Sequence, residues 1–334
     1  MQIKRILLFF LFILILGSII GVLKYVHYTD TLRIGANAFA GGEYFQLARK
    51  ALFFEKAGIH IKVVEFGSLG DVQQAFEWHQ INGMICPLAD ALVMRQKIIY
   101  EDPKIILIPS YIKKECSCQV LVENSINSIQ ELKGKNIGVE VNSYGSYVLA
   151  KALETEELSL QDVNLIPIDP TAAPRFFRHQ SIDAVVSYPP FIKAVKDITH
   201  CVYSSENWPK EMQLNVLLLR QSTIQKYKKQ LIKFIKSWDK LLDLYKERPS
   251  FCQEKLSVHH SVSIQEAENL FQRIQPLYIE EQFQLFRLNR HVLNILTNIN
   301  SYILQNNNSS LTPPQNQEPL DSIFDTFFIK ETLK

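Results

Sequence analysis

Between Thr31 and Arg220 the chain alternates short apolar runs with amphipathic segments, punctuated by Gly, Pro and Ser. Thr31–Ala36 reads as a strand that breaks at Gly41-Gly42. Tyr44–Lys56 reads as a helix with Leu47, Ala51 and Phe54 on one face, stopped by Gly58. Ile59–Phe66 alternates with the period of a strand, Gly67-Ser68-Leu69-Gly70 turns, and Asp71–His79 is a second helix. Gly83–Cys86 is a short buried strand, Pro87 opens a helix through Lys97, and Lys104–Ser110 is a further strand. Strand and helix in regular succession predict a mostly parallel sheet.

After Tyr111 the chain crosses over and the pattern restarts. Gln119–Glu123 is a strand, and Ser128-Ile129-Gln130-Glu131 is a capping box opening a short helix up to Gly134. Ile137–Val141, Val163–Ile168 and Ala184–Ser187 read as strands. Gly145–Glu154 and Thr171–His179 read as helices, and Pro189-Pro190 as the start of another, to about Val195. The restart keeps register. Ile34-Gly35 matches Ile137-Gly138, Gly42 matches Gly145, Tyr44 matches Tyr147 and Leu47 matches Ala150, all at an offset of 103 (138 − 35). Gln80–Pro87 parallels Ser181–Tyr188 at an offset of 101 (182 − 81). Such spacing predicts two topologically similar α/β lobes.

His200–Ser204 continues the second lobe, and Leu214–Arg220 reads as a strand returning to the first. Helices follow over Ser222–Arg248, Ser263–Gln275 and Glu280–Gln305, the second opened by a Ser263–Glu266 capping box. Residues 305–319 are rich in Asn, Gln, Ser and Pro and predict a flexible loop; Leu320–Leu333 predicts a final docking helix. The expected division is residues 31–112 with 213–304 and 320–334 for lobe one, and 113–212 for lobe two.

One apolar run has no polar face. Lys4-Arg5 precede Ile6–Leu23, which at 1.5 Å per residue spans roughly 27 Å, close to a hydrocarbon core. The run is longer than a usual signal h-region, and no small-x-small site follows it, so residues 1–28 predict an uncleaved signal anchor. Its positive flank predicts a single pass of a bacterial inner membrane, with everything after Tyr25 on the periplasmic or extracytoplasmic face. The rest is ordinary globular composition, 47% hydrophobic and 21% charged, and a net charge of +2 implies no nucleic-acid partner. Five cysteines leave at least one unpaired, with pairing of Cys116 or Cys118 to Cys201 left open. Without a CxxC pair, and with His259-His260 near Cys252 as one isolated cluster, no metal site is expected.

Candidate chemistry is that of binding. No GxSxG, GxGxxG or P-loop occurs, and the paired carboxylates at Glu156-Glu157 and Glu280-Glu281 read as exposed helix-terminal charges. No catalytic residue and no cofactor is implied. Ligands of open α/β sheets bind beyond the carboxyl ends of the strands. Those ends carry Asn37–Tyr44, Gly67–Gly70, Cys86–Asp90 and Ser110-Tyr111 in lobe one. In lobe two they carry Asn142–Ser146, Asp169–Thr171 and Ser187–Pro189. The stretch Asn142–Ser146 sits between strand and helix, where free backbone N–H groups and the helix dipole favour an anion. An acidic Glu43 in the opposite loop weakens a purely anionic reading.

IGANAFAGGEYFQLARKALFFEKAGIHIKVVEFGSLGDVQQAF, from Ile34 on, resembles the opening of the SsuA/NMT1-THI5-like group: the nitrate-, sulfonate-, taurine- and pyrimidine-precursor-type substrate-binding proteins of ABC importers. Phe54-Glu55-Lys56-Ala57-Gly58-Ile59 and the Gly67-Ser68 turn carry the likeness, with SIQELKGKNIGV (Ser128–Val139) and Ser181–Pro189 for lobe two. The resemblance implies a two-lobed, hinged periplasmic-binding-protein-like fold of type II that closes on a small organic or anionic ligand. It implies delivery to a permease and ATPase pair. Ligand contacts carried over fall on Gly41, Gly42, Glu43 and Tyr44; on Ser68, Cys86 and Pro87; on Asn142, Ser143, Tyr144, Gly145 and Ser146; and on Ser187 and Tyr188. The chain departs from the pattern at Phe39, shifted from the usual aromatic position, and at Cys86, where a small or polar residue is usual. Two alternatives stand beside transport: an enzyme of the related thiamine-pyrimidine synthase branch, and a sensing or interaction domain.

Overall fold

The computed structural model describes residues 31–37, 41–260, 262–287, 290–306 and 319–334. The expected anchor over residues 1–28, Phe39 and most of the expected 305–319 loop lie outside them. Among the described residues no helix is long and apolar enough to cross a membrane.

Two sheets organise the chain. In the first, β1 (Leu32–Asn37) lies between β2 (Ile61–Phe66) and β3 (Gly83–Pro87), parallel to both. In the second, β6 (Asn136–Val139) lies between β7 (Asn164–Pro167) and β8 (Ala184–Ser187), again parallel to both. Each sheet then accepts an antiparallel strand just after the chain arrives from the other lobe. β10 (Leu214–Leu219) pairs with β3 and with β4 (Lys104–Ile112); β5 (Gln119–Glu123) pairs with β8 and with β9 (Thr199–Ser204). The orders β2-β1-β3-β10-β4 and β7-β6-β8-β5-β9 are therefore the same, and β11 (Ile274–Pro276) extends the first beyond β4. The strand connections that parallel pairing demands are the helices α1 (Glu43–Lys50), α2 (Phe53–Lys56), α3 (Leu69–Glu77), α4 (Leu88–Lys97), α5 (Tyr144–Glu154) and α6 (Ala173–Arg178).

The repeat in the sequence has a packing cause. A side chain at Gly35 would overlap Ile81, and one at Gly138 would overlap Ile168 and stand 3.2 Å from Ile182. Ile81 and Ile182 are the residues matched at offset 101, and both crowd the bare central-strand glycine, Ile81 most closely in lobe one and Ile182 behind Ile168 in lobe two. Lobe one is thickened by α7 (Gln221–Lys236), α8 (Trp238–Glu247), α9 (Pro249–His260), α10 (Ile264–Gln272), α11 (Ile279–Phe286), α12 (Arg290–Asn306) and α13 (Phe327–Thr332). Tyr44 and Phe45 of α1 enter an aromatic cluster with Phe54, Phe234 and the fully buried Trp238, whose indole N–H donates to the Leu277 carbonyl at 3.0 Å. The end of the chain docks back. Arg95 donates to the carbonyls of Pro319 and Leu320, and Phe324 bridges to Ile105.

Several expected helices are cut by their own residues. Leu52, at φ 61°, divides the 44–56 helix into α1 and α2, and Ser237 divides 222–248 into α7 and α8. The 263–275 helix stops at Gln272, because Ile274–Pro276 is drawn into the first sheet as an edge strand. Residues 280–305 hold two helices, α11 and α12, and 320–333 a single turn followed by the short α13. Pro189-Pro190 is followed by one 3-10 turn, Phe191–Ala194, and not a helix; the residue before a proline is driven out of the α region. Among the described residues Cys86, Cys118, Cys201 and Cys252 form no disulfide.

Gly83 tests the tightness of the first sheet. A methyl there would overlap Leu219 and stand 2.8 Å from the Leu218 carbonyl, which β10 cannot retract without breaking its ladder. Gly83→Ala should cost about 1–3 kcal/mol in urea unfolding; an unchanged midpoint would refute this packing.

Candidate ligand-binding site

The lobes meet at the carboxyl ends of their parallel strands, and each inserts a carboxylate onto a helix start of the other. In lobe one, Ser68 caps α3, its hydroxyl accepting from the Asp71 N–H at 3.1 Å. The next free donors, the Leu69 and Gly70 N–H groups, point at Glu140 of lobe two, with Gly70 N at 3.2 Å from Oε1. The Tyr188 hydroxyl donates to the other Glu140 oxygen at 2.8 Å. In lobe two, Ser143 caps α5 in a reciprocal box with Ser146. The Tyr144 N–H then donates across the cleft to Asp90 Oδ2 at 3.1 Å. Gln73 Nε2 donates to Asp90 Oδ1 at 2.6 Å and to the Asn142 carbonyl at 3.2 Å. Asn142 presents that carbonyl from a left-handed turn, φ 56°.

Asp90 is fully buried, and burial, then the nearby Glu140, pushes it up to about 8. Burial raises Glu140 as well, against the opposing hydrogen bond from Tyr188. Behind this latch the two crossovers run side by side. The Ser117 and Ser204 hydroxyls are 2.7 Å apart, and Ser205 Oγ accepts from Cys118 N at 3.1 Å and lies 3.2 Å from the Tyr144 hydroxyl.

Beside the latch the cleft opens into two cavities that share Val262 and Leu270 as lining. The inner one, about 280 Å³, lies in lobe one between the ends of β1 and β2 and the start of α1. Asn37, Gly42, Glu43, Gln46, Glu65 and Phe66 face it. The outer one, about 570 Å³, lies between α10 and the lobe-two segment after Pro189 and carries Lys193, Lys196, Glu266 and Arg273. The turn into α1 needs its glycines. Gly41 has φ +70° and a side chain there would press on Ser110 Oγ at 2.9 Å, while one at Gly42 would stand 2.8 Å from Ala36 Cβ.

Glu43 is buried, and that burial pushes it up to about 7, against its own backbone N–H and Arg273. Gln46 Nε2 donates to Glu65 Oε1 at 2.5 Å, which also pairs with His259 Nε2 at 2.9 Å. Arg49, a donor only, lies 3.3 Å from His259 Nδ1, so Nδ1 accepts and Nε2 carries the proton toward Glu65.

The residues expected at the site thus separate. Gly42 and Glu43 line the inner cavity, with Gly41 supporting the turn. Ser68, Asn142, Ser143, Tyr144, Ser146 and Tyr188 belong to the latch, where protein carboxylates occupy the helix ends. Tyr44 is core, its ring 5.2 Å from Phe271 and 5.8 Å from Tyr245. Cys86 is sealed in β3, Pro87 precedes α4, and a side chain at Gly145 would meet Ser143 at 3.3 Å and Val186 at 3.5 Å; none of these three lines either cavity. Ser187 is buried at the end of β8 with a hydroxyl that makes no hydrogen bond among the described residues. Glu140, Gln73, Gln46 and Glu65 escaped the sequence reading. Glu140 directly follows the apolar strand, and that adjacency is the one signal that marks it. Among the described residues no group of three metal-ligating side chains occurs.

Two similar α/β lobes, joined by paired crossovers and meeting at their strand ends, define a periplasmic-binding-protein-like fold. The chain belongs to the NMT1/THI5-like family, whose profile matches residues 44–250, more than half of its length. Binding proteins of Brucella, that of Brucella abortus among them, are 33% identical over 81 residues, 24% of this chain and only 25% of theirs. The alkanesulfonate-binding protein SsuA of Xanthomonas axonopodis, bound to MOPS, has a similar structure: TM-score 0.66, 15% identity, covering 88% of this chain and 98% of that one. The ligand-binding component of an ABC-type import system of Staphylococcus aureus, with zinc bound, gives 0.65 at 12% identity, covering 91% and 99%. The desulfurization enzyme DSZB gives 0.62 at 15%, also covering 91% and 99%.

The latch makes stability sensitive to pH. A carboxyl held above its ordinary value binds its proton more tightly in the folded protein, so its contribution to stability is greatest at low pH. It falls as pH rises from about 4 toward about 8. Melting temperature should drop by several degrees between pH 5 and pH 8.5. Asp90→Asn, which keeps an acceptor for Tyr144, should flatten part of that slope, Glu140 and Glu43 supplying the rest. Equal slopes in both proteins would remove Asp90 from the latch.

Proposed function

We propose that the chain is a solute-binding protein of an ABC importer, tethered to the inner membrane by residues 1–28 and displaying its lobes on the periplasmic face. It captures a small molecule between the lobes and presents it to a permease and ATPase pair. The observation that carries this reading is the pair of adjoining cavities, one faced by lobe one and the other by both lobes, beside a junction spanned by two crossovers. Such a junction bends as a hinge, and closure gives a ligand contacts from both sides. The family and the binding proteins that share the fold support it.

The enzyme DSZB shares the fold, so catalysis is the second reading. The thiol at the end of β3 argues against it: burial, then Asp90, pushes Cys86 well up, away from the thiolate a nucleophile requires.

Native mass spectrometry of the protein purified from its own membranes should show a small molecule that denaturation releases. Added back, that molecule should raise the melting temperature in proportion to the logarithm of its concentration. Recovery of a chemically altered product would favour the enzyme. An empty protein, unresponsive to a solute panel, would count against both readings.

A further inference from the structure

The inner cavity carries an imbalance of hydrogen-bonding groups. Glu43 and Gln46 are 6% and 2% exposed, and Glu43 Oε2 and Gln46 Oε1 make no hydrogen bond among the described residues. The orientation of the Gln46 amide is set from outside. Its nitrogen is spent on Glu65, which His259 and Arg49 hold in place, so its oxygen is the end left over. Gln46 Oε1 is an acceptor, and Glu43 Oε2 becomes one when its carboxyl ionises. A buried acceptor without a donor costs about 1–3 kcal/mol, so the missing donors are the ligand's to bring.

The sites that would hold an anion are taken. The α3 start receives Glu140, the α5 start receives Asp90, and at the α1 start Glu43 accepts its own backbone N–H. An anion entering the inner cavity would meet Glu43 and Glu65 there. Arg273 opposes Glu43 only partly, and Lys193 and Lys196 lie in the outer cavity. Apolar walls at Val63, Phe66, Val262 and Leu270 complete a space suited to a small flat or aliphatic body.

We infer, building on the solute-binding reading, that the inner cavity takes the donor-bearing head of an amine- or amidine-type cation, recognised by Glu43 and Gln46, and not a sulfonate. Burial pushes Glu43 up to about 7; a bound cation supplies the countercharge that lets it ionise.

The shape-matched pair benzamidine and benzenesulfonate tests this on the full chain by titration calorimetry and thermal shift. Benzamidine should bind and benzenesulfonate should not. Glu43→Gln should weaken benzamidine at least tenfold while melting like the parent. Gln46→Met, a second variant that keeps the charge, should weaken it severalfold. Binding of benzenesulfonate alone, or of both probes equally, overturns the assignment and leaves solute binding standing. If neither probe binds, the assignment also falls. Native mass spectrometry then separates the two failures: a co-purified small molecule preserves solute binding, and none removes that as well.

Discussion

Carboxylates that cross the cleft determine how the two lobes meet. Glu140 reaches the start of α3 and Asp90 the start of α5, each from the opposite lobe. Taking such a group out of water costs several kcal/mol. Hydrogen bonds to a charged group return about 1.5–3 kcal/mol each, and a partly buried helix end up to about 2 kcal/mol more. The balance is close, which is why burial pushes Asp90 up to about 8 and why the junction responds to proton concentration. The same exchange removes two helix ends from the set available to a ligand.

Everything else about the cleft follows from the exchange of strands. Each lobe completes its sheet with a strand that has just arrived from the other, β10 beside β3 and β5 beside β8. The second sheet is complete once the first crossover has delivered β5, whereas the first sheet waits for the second crossover to bring β10. The aromatic contact of Tyr147 with Tyr302, at 5.0 Å, ties the two lobes together as well.

The two helix starts show how far local sequence reaches. Ser68 and Ser143 cap their helices with nearly the same backbone, φ −132° in both, and that serine-then-helix signal is readable without any fold. What faces the cap is not readable. The Gly70 N–H just inside the first cap meets a carboxylate 70 residues further along the chain, and the Tyr144 N–H one 54 residues before it. Gly41-Gly42 and the offset between lobes were legible because each follows from turn geometry or strand packing, whereas Glu43 entered through the family resemblance. Gln46 and Glu65 were not, because on a helix face and a strand they look like solvated polar positions.

By itself the sequence determined two similar α/β lobes, their strands, most of their helices and the crossover between them. Hydrophobic period, Gly and Pro punctuation and capping serines are local, and they act over a few residues. Only the tertiary structure decided which strand ends hold a cavity and which are closed by protein carboxylates. It also decided that Ile274–Pro276 is strand and that Pro189-Pro190 opens no helix. Those outcomes depend on which distant group satisfies a buried donor or acceptor. The cost of leaving it unsatisfied appears only when the lobes exclude water together.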